Sequence, residues 1–250
     1  MQDIRRILPS PERPIQFNGL LTNKLLASLP GPAFAALLPH LEPVSFSAGQ
    51  EVYSCGSRIT SVYFPETAVV SQLSYLEDGS ATEVAVIGNE GLVGLSAILE
   101  SPGSTHWTEA TIAGTALKAS LESIMEQFRT SSAIQSKILS YTSSYLNQVS
   151  QRAVCNSRHR LEERLCSWLL MVHDRAPGTQ LPLTHELIAE HLGARRAGIT
   201  SFCTLLREHG AIAYQRGVIS IVNRKLLEEL ACECYRVLSG RGQTAAAGNR

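Results

Sequence analysis

From Val44 to about Leu121 the apolar residues come in short alternating runs. The runs are punctuated by Ala48-Gly49, Gly56, Pro65, Asp78-Gly79, Gly88 and Gly91. Alternation with evenly spaced turn signals predicts short strands of an antiparallel sandwich or barrel. The preceding "NKLLASLPGPAFAALLPHLE" predicts two short helical pieces split by Pro30 and Pro32. From Leu121 the texture changes to a long stretch without proline or glycine, in which Ile134, Ile138, Tyr141, Tyr145 and Val149 fall on one helical stripe. This predicts one long helix and hinge over 121–156. Flanked by serines and glutamines, the stripe suits a two-helix seam between subunits. The competing reading packs it on its own domain, but a stripe of this length outruns what a small sandwich covers.

A third texture fills 157–226. "LEERLCSWLLMVHDR" predicts an amphipathic helix, "APGTQLPL" a loop, "LIAEHLGARRAGITSFCTLL" two helices around a corner, and "GAIAYQRGVISIVNR" two short strands around Arg216-Gly217. That order is a winged helix. Thr184 is placed to cap the first corner helix, with Glu186 in its first turn favourable to the helix dipole. Ile188 and Leu192 share a face, Ala189 is small at the crossing, and Gly193 suits a left-handed helix end. Beyond it Ile199, Phe202 and Leu206 face inward. Arg195, Arg196, Ala197 and Ser201 are left on the outer face of the second helix, whose N-terminal half enters the major groove in helix-turn-helix proteins. Gly198 is expected to let that helix approach the sugar-phosphate backbone. The competing reading is a helical hairpin with a solvated arginine pair. Residues 227–250 are expected to form a C-terminal helix and a disordered tail.

Charge sharpens this division. The net charge is zero. Residues 1–156 hold 9 Lys+Arg and 13 Asp+Glu, whereas 157–225 hold 10 and 6. Only the second block is expected to approach a polyanion. No apolar run approaches a membrane span, and "MQDIRRILPSPERPIQFNG" has neither the apolar core nor the cleavage site of an export signal. A cytoplasmic protein with reduced cysteines and no membrane partner is expected.

With these residues in place, the chain resembles the Crp/Fnr family of bacterial transcription regulators. The resemblance is carried by "LEPVSFSAGQEVYSCGSRITSVYFPETAVVSQLS", "EDGSATEVAVIGNEGLVG", the long helix, and "LTHELIAEHLGARRAGIT" through "LLREHGAIAYQRGVISIVNR". It implies an α+β chain: a cyclic-nucleotide-binding-like β-roll (jelly roll) with N-terminal helices over 1–120, a dimerisation helix, and a C-terminal winged helix-turn-helix. It further implies a homodimer on a palindromic double-stranded DNA site, with RNA polymerase as a partner. Arg196 falls where the family places a guanine-reading arginine. Ala197 replaces a frequent glutamate and Ser201 a later arginine, so the usual half-site is not implied. Thr184, His185 and Arg195 fall at or beside the family's phosphate contacts, and Arg216 at the wing tip.

The ligand pocket departs from the family pattern. In cyclic-AMP-binding members a Gly-Glu-Leu run grips the ribose and a later Arg-Ser neutralises the cyclic phosphate. Here Gly94 is followed by Leu95, and Thr105-His106 stands at the later position, so cyclic AMP is not an expected ligand. The iron–sulfur members use cysteines near the N-terminus, whereas the first here is Cys55. The spacing of the seven histidines decides nothing about haem. Cys232-x-Cys234 reads as two partly buried helix cysteines rather than a metal site. No enzyme motif pairs a nucleophile with a base, so neither catalysis nor a cofactor is expected. A signalling protein of the same fold that has lost DNA binding is the closest alternative.

Overall fold

The computed structural model describes residues 21–239 apart from Pro102. Strands β1 (Glu42–Phe46), β2 (Glu51–Tyr53), β3 (Ser61–Pro65), β4 (Val69–Tyr75), β5 (Ala81–Ile87), β6 (Trp107–Ile112) and β7 (Gly114–Ser120) form two antiparallel sheets. Their orders are β1-β7-β3 and β2-β6-β4-β5. Buried Phe46 and Ala116 of the first sheet pack with Ala110 of the second. This is the antiparallel sandwich that alternation predicts and the β-roll that the resemblance implies.

The helical pieces before it are α1 (Lys24–Ala27) and α2 (Gly31–Leu37). Asn23 ties α1 to the roll. Its Oδ1 accepts from the Leu26 amide at 3.0 Å, and its Nδ2 donates to the carbonyls of Pro65 and Gly91 at 2.8 and 2.9 Å. A short α3 (Leu95–Ile98) follows β5.

The expected single helix after Leu121 is two: α4 (Leu121–Thr130) and α5 (Ser132–Arg158). Ser131 breaks it, with φ −112° and ψ 105° and its side chain accepting from the Ile134 amide. A serine that caps a new helix competes with the old one, and the absence of Pro and Gly does not reveal this.

The stripe on α5 is also corrected. Ile134, Ile138 and Tyr141 are buried with Leu25, Phe64, Leu92 and Leu117 of their own chain. The Tyr141 hydroxyl donates to the Leu92 carbonyl at 3.2 Å, and that of Tyr145 to Gln72 Oε1 at 2.5 Å. Val149 is half-buried on the same side. The stripe is consumed by the sandwich, which together with α1, α2 and α4 covers more of the helix than expected. Beside the stripe, α5 instead exposes Leu139, Leu146 and Val154, by 48%, 58% and 50%.

The second half of the chain contains α6 (Leu161–His173), β8 (Gln180–Leu181), α7 (His185–Leu192), α8 (Arg196–Glu208), β9 (Ile212–Gln215), β10 (Val218–Ile221), α9 (Arg224–Leu230) and α10 (Glu233–Leu238). The wing sheet has the order β8-β10-β9. Helix α6, expected to be amphipathic, buries every residue from Leu165 to Val172. It is enclosed because a single apolar cluster runs from Val69, Val86 and Ile112 of the roll through Trp168 and Leu169 to Leu192 and Ile199. The roll and the winged helix therefore share a core. Among the described residues no helix is long and apolar enough to cross a membrane. The tail after Ser239 lies outside the described residues.

Candidate nucleic-acid interface

The corner between α7 and α8 is built as its residues dictate. The Thr184 hydroxyl accepts from the Leu187 amide at 3.2 Å, capping α7. Gly193 closes it at φ +57°, ψ 47°, and the Ala194 amide reaches back to the Ala189 carbonyl at 2.8 Å. The left-handed conformation favours glycine. Space favours it too, because a Cβ on Gly193 would collide with Thr82 Oγ1 of β5.

Helix α8 begins with Arg195 as N-cap and Arg196 as its first residue. Ile199, Cys203 and Leu206 are buried and Phe202 half-buried, while Arg195, Arg196, Ala197 and Ser201 are exposed together. Arg196 Nε lies 3.5 Å from Glu186 Oε2, both side chains largely in solvent. Such a pair contributes about 0–1 kcal/mol and yields readily to a phosphate or base. Arg216, at the wing tip, is exposed at φ +48° ahead of Gly217 at +80°. The two-residue turn between β9 and β10 thus presents an exposed guanidinium, and its Gly217 lies against Thr184, the cap of α7.

Two residues differ from expectation. Gly198 is half-buried and faces α6: a Cβ there would sit 3.3 Å from Leu161 Cδ2. It serves helix–helix packing rather than approach to a DNA backbone. His185 is engaged inside the domain, stacked on Tyr214 at 4.2 Å and 3.1 Å from Thr200 Oγ1. Burial, then nearby Arg196, holds its pKa below the ordinary histidine range. A neutral ring packed between helix and wing is poorly suited to a phosphate contact.

Residues 163–230 match the model of the Crp-like helix-turn-helix domain. The chain carries a Crp-like helix-turn-helix domain. Compared with curated protein sequences, it has no significant match. Among solved structures it is similar to FixK2 from Bradyrhizobium japonicum, with 20% identity over 77% of this chain and 98% of that one and a TM-score of 0.66. It is also similar to TTHA1359, a CRP/FNR-family transcriptional regulator from Thermus thermophilus, with 22% identity, coverage of 76% and 98%, and a TM-score of 0.62. A third match is CLP, a c-di-GMP-responsive global regulator from Xanthomonas campestris, with 17% identity, coverage of 78% and 100%, and a TM-score of 0.61. The fold is that of the Crp/Fnr regulators.

The Crp-like domain docks on the roll through a buried carboxylate that sequence reasoning misses. Glu83 of β5 is wholly buried. Its Oε1 accepts from Trp168 Nε1 of α6 at 2.9 Å and lies 3.3 Å from Arg152 Nη2 of α5. Its Oε2 accepts from the Ser71 hydroxyl at 2.7 Å and lies 3.0 Å from His191 Nδ1 of α7. His191 Nε2 is 3.5 Å from Glu109 Oε1, an ion-pair distance without hydrogen-bond geometry. Around this hub, Arg164 caps the end of α7 through the Leu192 carbonyl, Tyr75 donates to Glu190 at 2.8 Å, and Arg175 pairs with Glu90 at 2.7 Å. A legible signal exists. Glu83 is in phase with buried Ala81 and Ala85 on its strand, and His191 lies beside Ile188 and Leu192 on the inward face of α7.

The residues predicted to form a degenerate ligand pocket are partly brought together. Leu95, Thr105 and His106 line a cavity of about 210 Å³ beneath α5, with Tyr145, Leu146 and Val149 on its far wall and no charged side chain. Thr105 Oγ1 is 2.9 Å from His106 Nδ1, and burial lowers the His106 pKa. Gly94 does not line the cavity: it caps α3 at φ +100°, against the Tyr53 hydroxyl and Val62.

Burial works against charge on His191, but the carboxylates of Glu109 and Glu83 on its two nitrogens outweigh burial and raise the pKa to about 9. A histidine whose folded pKa lies above its unfolded 6.5 stabilises fully below pH 6.5, and that stability is lost as pH rises through 9. A shift of this size corresponds to roughly 3 kcal/mol. Glu83 has the opposite linkage. Burial opposes its charge, but His191, Arg152 and Ser71 together lower its pKa, so its contribution is present above about pH 4.5 and lost in acid. Urea unfolding of the wild-type chain should lose stability between about pH 6.5 and 9, and His191→Gln should flatten that limb. Parallel profiles for the two proteins would contradict a protonated His191.

Proposed function

We propose that the chain is a sequence-specific, double-stranded-DNA-binding transcription regulator. It acts as a cytoplasmic homodimer on a palindromic site, engages RNA polymerase, and answers a signal other than cyclic AMP. The observation that carries this reading is the joint exposure of Arg195, Arg196, Ala197 and Ser201 at the start of α8, with Arg216 exposed at the wing tip. Arg196, in the first turn, reads a base edge, while Arg195, at the cap, and Arg216 contact phosphates. The uncharged cavity under α5 suits a neutral ligand and offers a cyclic phosphate no counter-charge.

Loss of a bidentate guanine contact costs roughly 1–3 kcal/mol and relaxes one base position, whereas loss of a phosphate contact weakens all sequences alike and lowers the salt slope by about one. A site selected from random DNA, and its single-base variants, should therefore separate the arginines. Arg196→Ala should relax one position in each half-site. Arg195→Ala should lower affinity evenly and flatten the salt dependence. Equal losses on every variant would assign sequence reading to neither arginine. A wild-type chain that no selected DNA retains would favour the signalling protein without DNA binding.

Dimerisation is supported by the exposed face of α5. Leu139, Ser143, Leu146, Ser150 and Ala153 recur at spacings of 4, 3, 4 and 3, the heptad seam of a two-stranded coil. A charge at Leu146 should leave the fold intact and dissociate the dimer, so Leu146→Asp should sediment as folded monomers with weakened DNA binding. Ile138→Asp buries a charge in the chain's own core and should instead lower unfolding stability by several kcal/mol. Folded monomers from Ile138→Asp, with Leu146→Asp still dimeric, would return the seam to the buried stripe.

A further inference from the structure

Four metal-binding side chains converge where α5 hands over to α6. Cys155 occupies the last turn of α5 and His159 caps it, while Cys232 caps α10 and Cys234 stands in its first turn. One ligand atom from each lies within 4.8 Å of all the others. Cys155 Sγ is 3.5 Å from Cys232 Sγ, and Cys234 Sγ is 3.4 Å from His159 Nδ1. A tetrahedron with Zn–S near 2.3 Å and Zn–N near 2.0–2.1 Å has S···S edges of about 3.8 Å and S···N edges of about 3.5 Å, so these two are within about 0.3 Å of the required length.

The surroundings match a metal centre as well. All three cysteines are buried and none is in a disulfide. His159 turns its other nitrogen, Nε2, to Glu233 Oε2 at 3.2 Å. That carboxylate–histidine pairing orients an imidazole whose opposite nitrogen binds metal. Gln151 Nε2 donates to Cys234 Sγ at 3.0 Å, and the Ser167 hydroxyl is 3.0 Å from Cys232 Sγ, supplying donors to sulfurs that become thiolates. Plain buried cysteines need neither a histidine among them nor a carboxylate behind it.

We propose that Cys155, His159, Cys232 and Cys234 form a closed tetrahedral site for one zinc(II) ion. Four protein ligands leave no open position, which is the arrangement of a structural rather than a catalytic zinc. The ligands come from two segments far apart in sequence, the end of α5 with its hinge and the start of α10. The ion therefore staples the C-terminal helix to the hinge and fixes the direction in which α6 leaves α5.

The test uses the full chain, purified without chelator, stripped, and reloaded with zinc(II) or cobalt(II). One ion per chain is expected by elemental analysis. The cobalt form should show the ligand-field bands of a tetrahedral site and thiolate-to-cobalt charge transfer, both displaced by zinc. Zinc should shield three thiols from alkylation, and chelation should lower the melting temperature. Cys232→Ser and His159→Ala should weaken metal binding at least about tenfold, while Cys55→Ser, at an exposed cysteine outside the cluster, should not. Should Cys232→Ser not fold, thiol shielding and the cobalt spectrum of the wild-type chain decide. Zinc well below one per chain after reloading would overturn the proposal. So would an octahedral cobalt spectrum without charge transfer, a Cys155–Cys232 disulfide in place of metal, or an iron–sulfur chromophore.

Discussion

The chain is held in one piece by a carboxylate that has no access to water. Glu83 sits on β5, the edge strand of the four-stranded sheet, and is met by Trp168, Arg152 and His191, one from each of three helices. An isolated ionised carboxylate there would cost several kcal/mol, and each partner is needed to offset that cost. The partners come from the long helix and from the first two helices of the Crp-like half. The domains therefore cannot separate without exposing or orphaning that charge. The shared apolar cluster supplies attraction, and the hub fixes geometry.

This constraint explains how the interface is presented. The corner helix α7 has its C-terminal end against β5, through His191 and the close approach of Gly193 to Thr82. Helix α8 follows the corner, and its Arg195, Arg196 and Ser201 reach solvent. Strand β5 connects to the segment leading into α3, which with α5 walls the uncharged cavity. Helix α5 is tied to the roll at two further points: the Arg152 guanidinium meets Glu83 on β5, and the Tyr145 hydroxyl meets Gln72 on β4.

Much of this is legible in the residues, and the rest is hidden for identifiable reasons. Alternation between turn signals locates the roll, and the small, glycine and aliphatic positions around Gly193 locate the corner, because those patterns are local. The stripe from Ile134 to Val149 reads as buried but points to the wrong partner, since periodicity says that a face is covered and not by what. Ser131 ends a helix without proline or glycine, through a side-chain cap that propensity alone ranks low. Gly198 reads towards DNA because its neighbours are basic, whereas Leu161, distant in sequence, is what requires it. The Glu83 hub leaves only a faint mark, a charged residue in phase with apolar ones. The cysteine cluster leaves a C-x-C pair and, less visibly, Cys155 and His159 four apart on one helix face. Long-range convergence of that kind is invisible until the chain is folded.

Glu83 and His191 form one energetic unit joining the roll to the Crp-like domain. A double-mutant cycle with Glu83→Gln and His191→Gln, read by urea unfolding at about pH 6, measures that unit directly. Each single substitution is expected to cost about 3–5 kcal/mol and the double little more than either, a coupling of at least about 2 kcal/mol. Single-substitution costs that add to within about 0.5 kcal/mol would show two independent residues, and the domains would then be joined by their apolar contact alone.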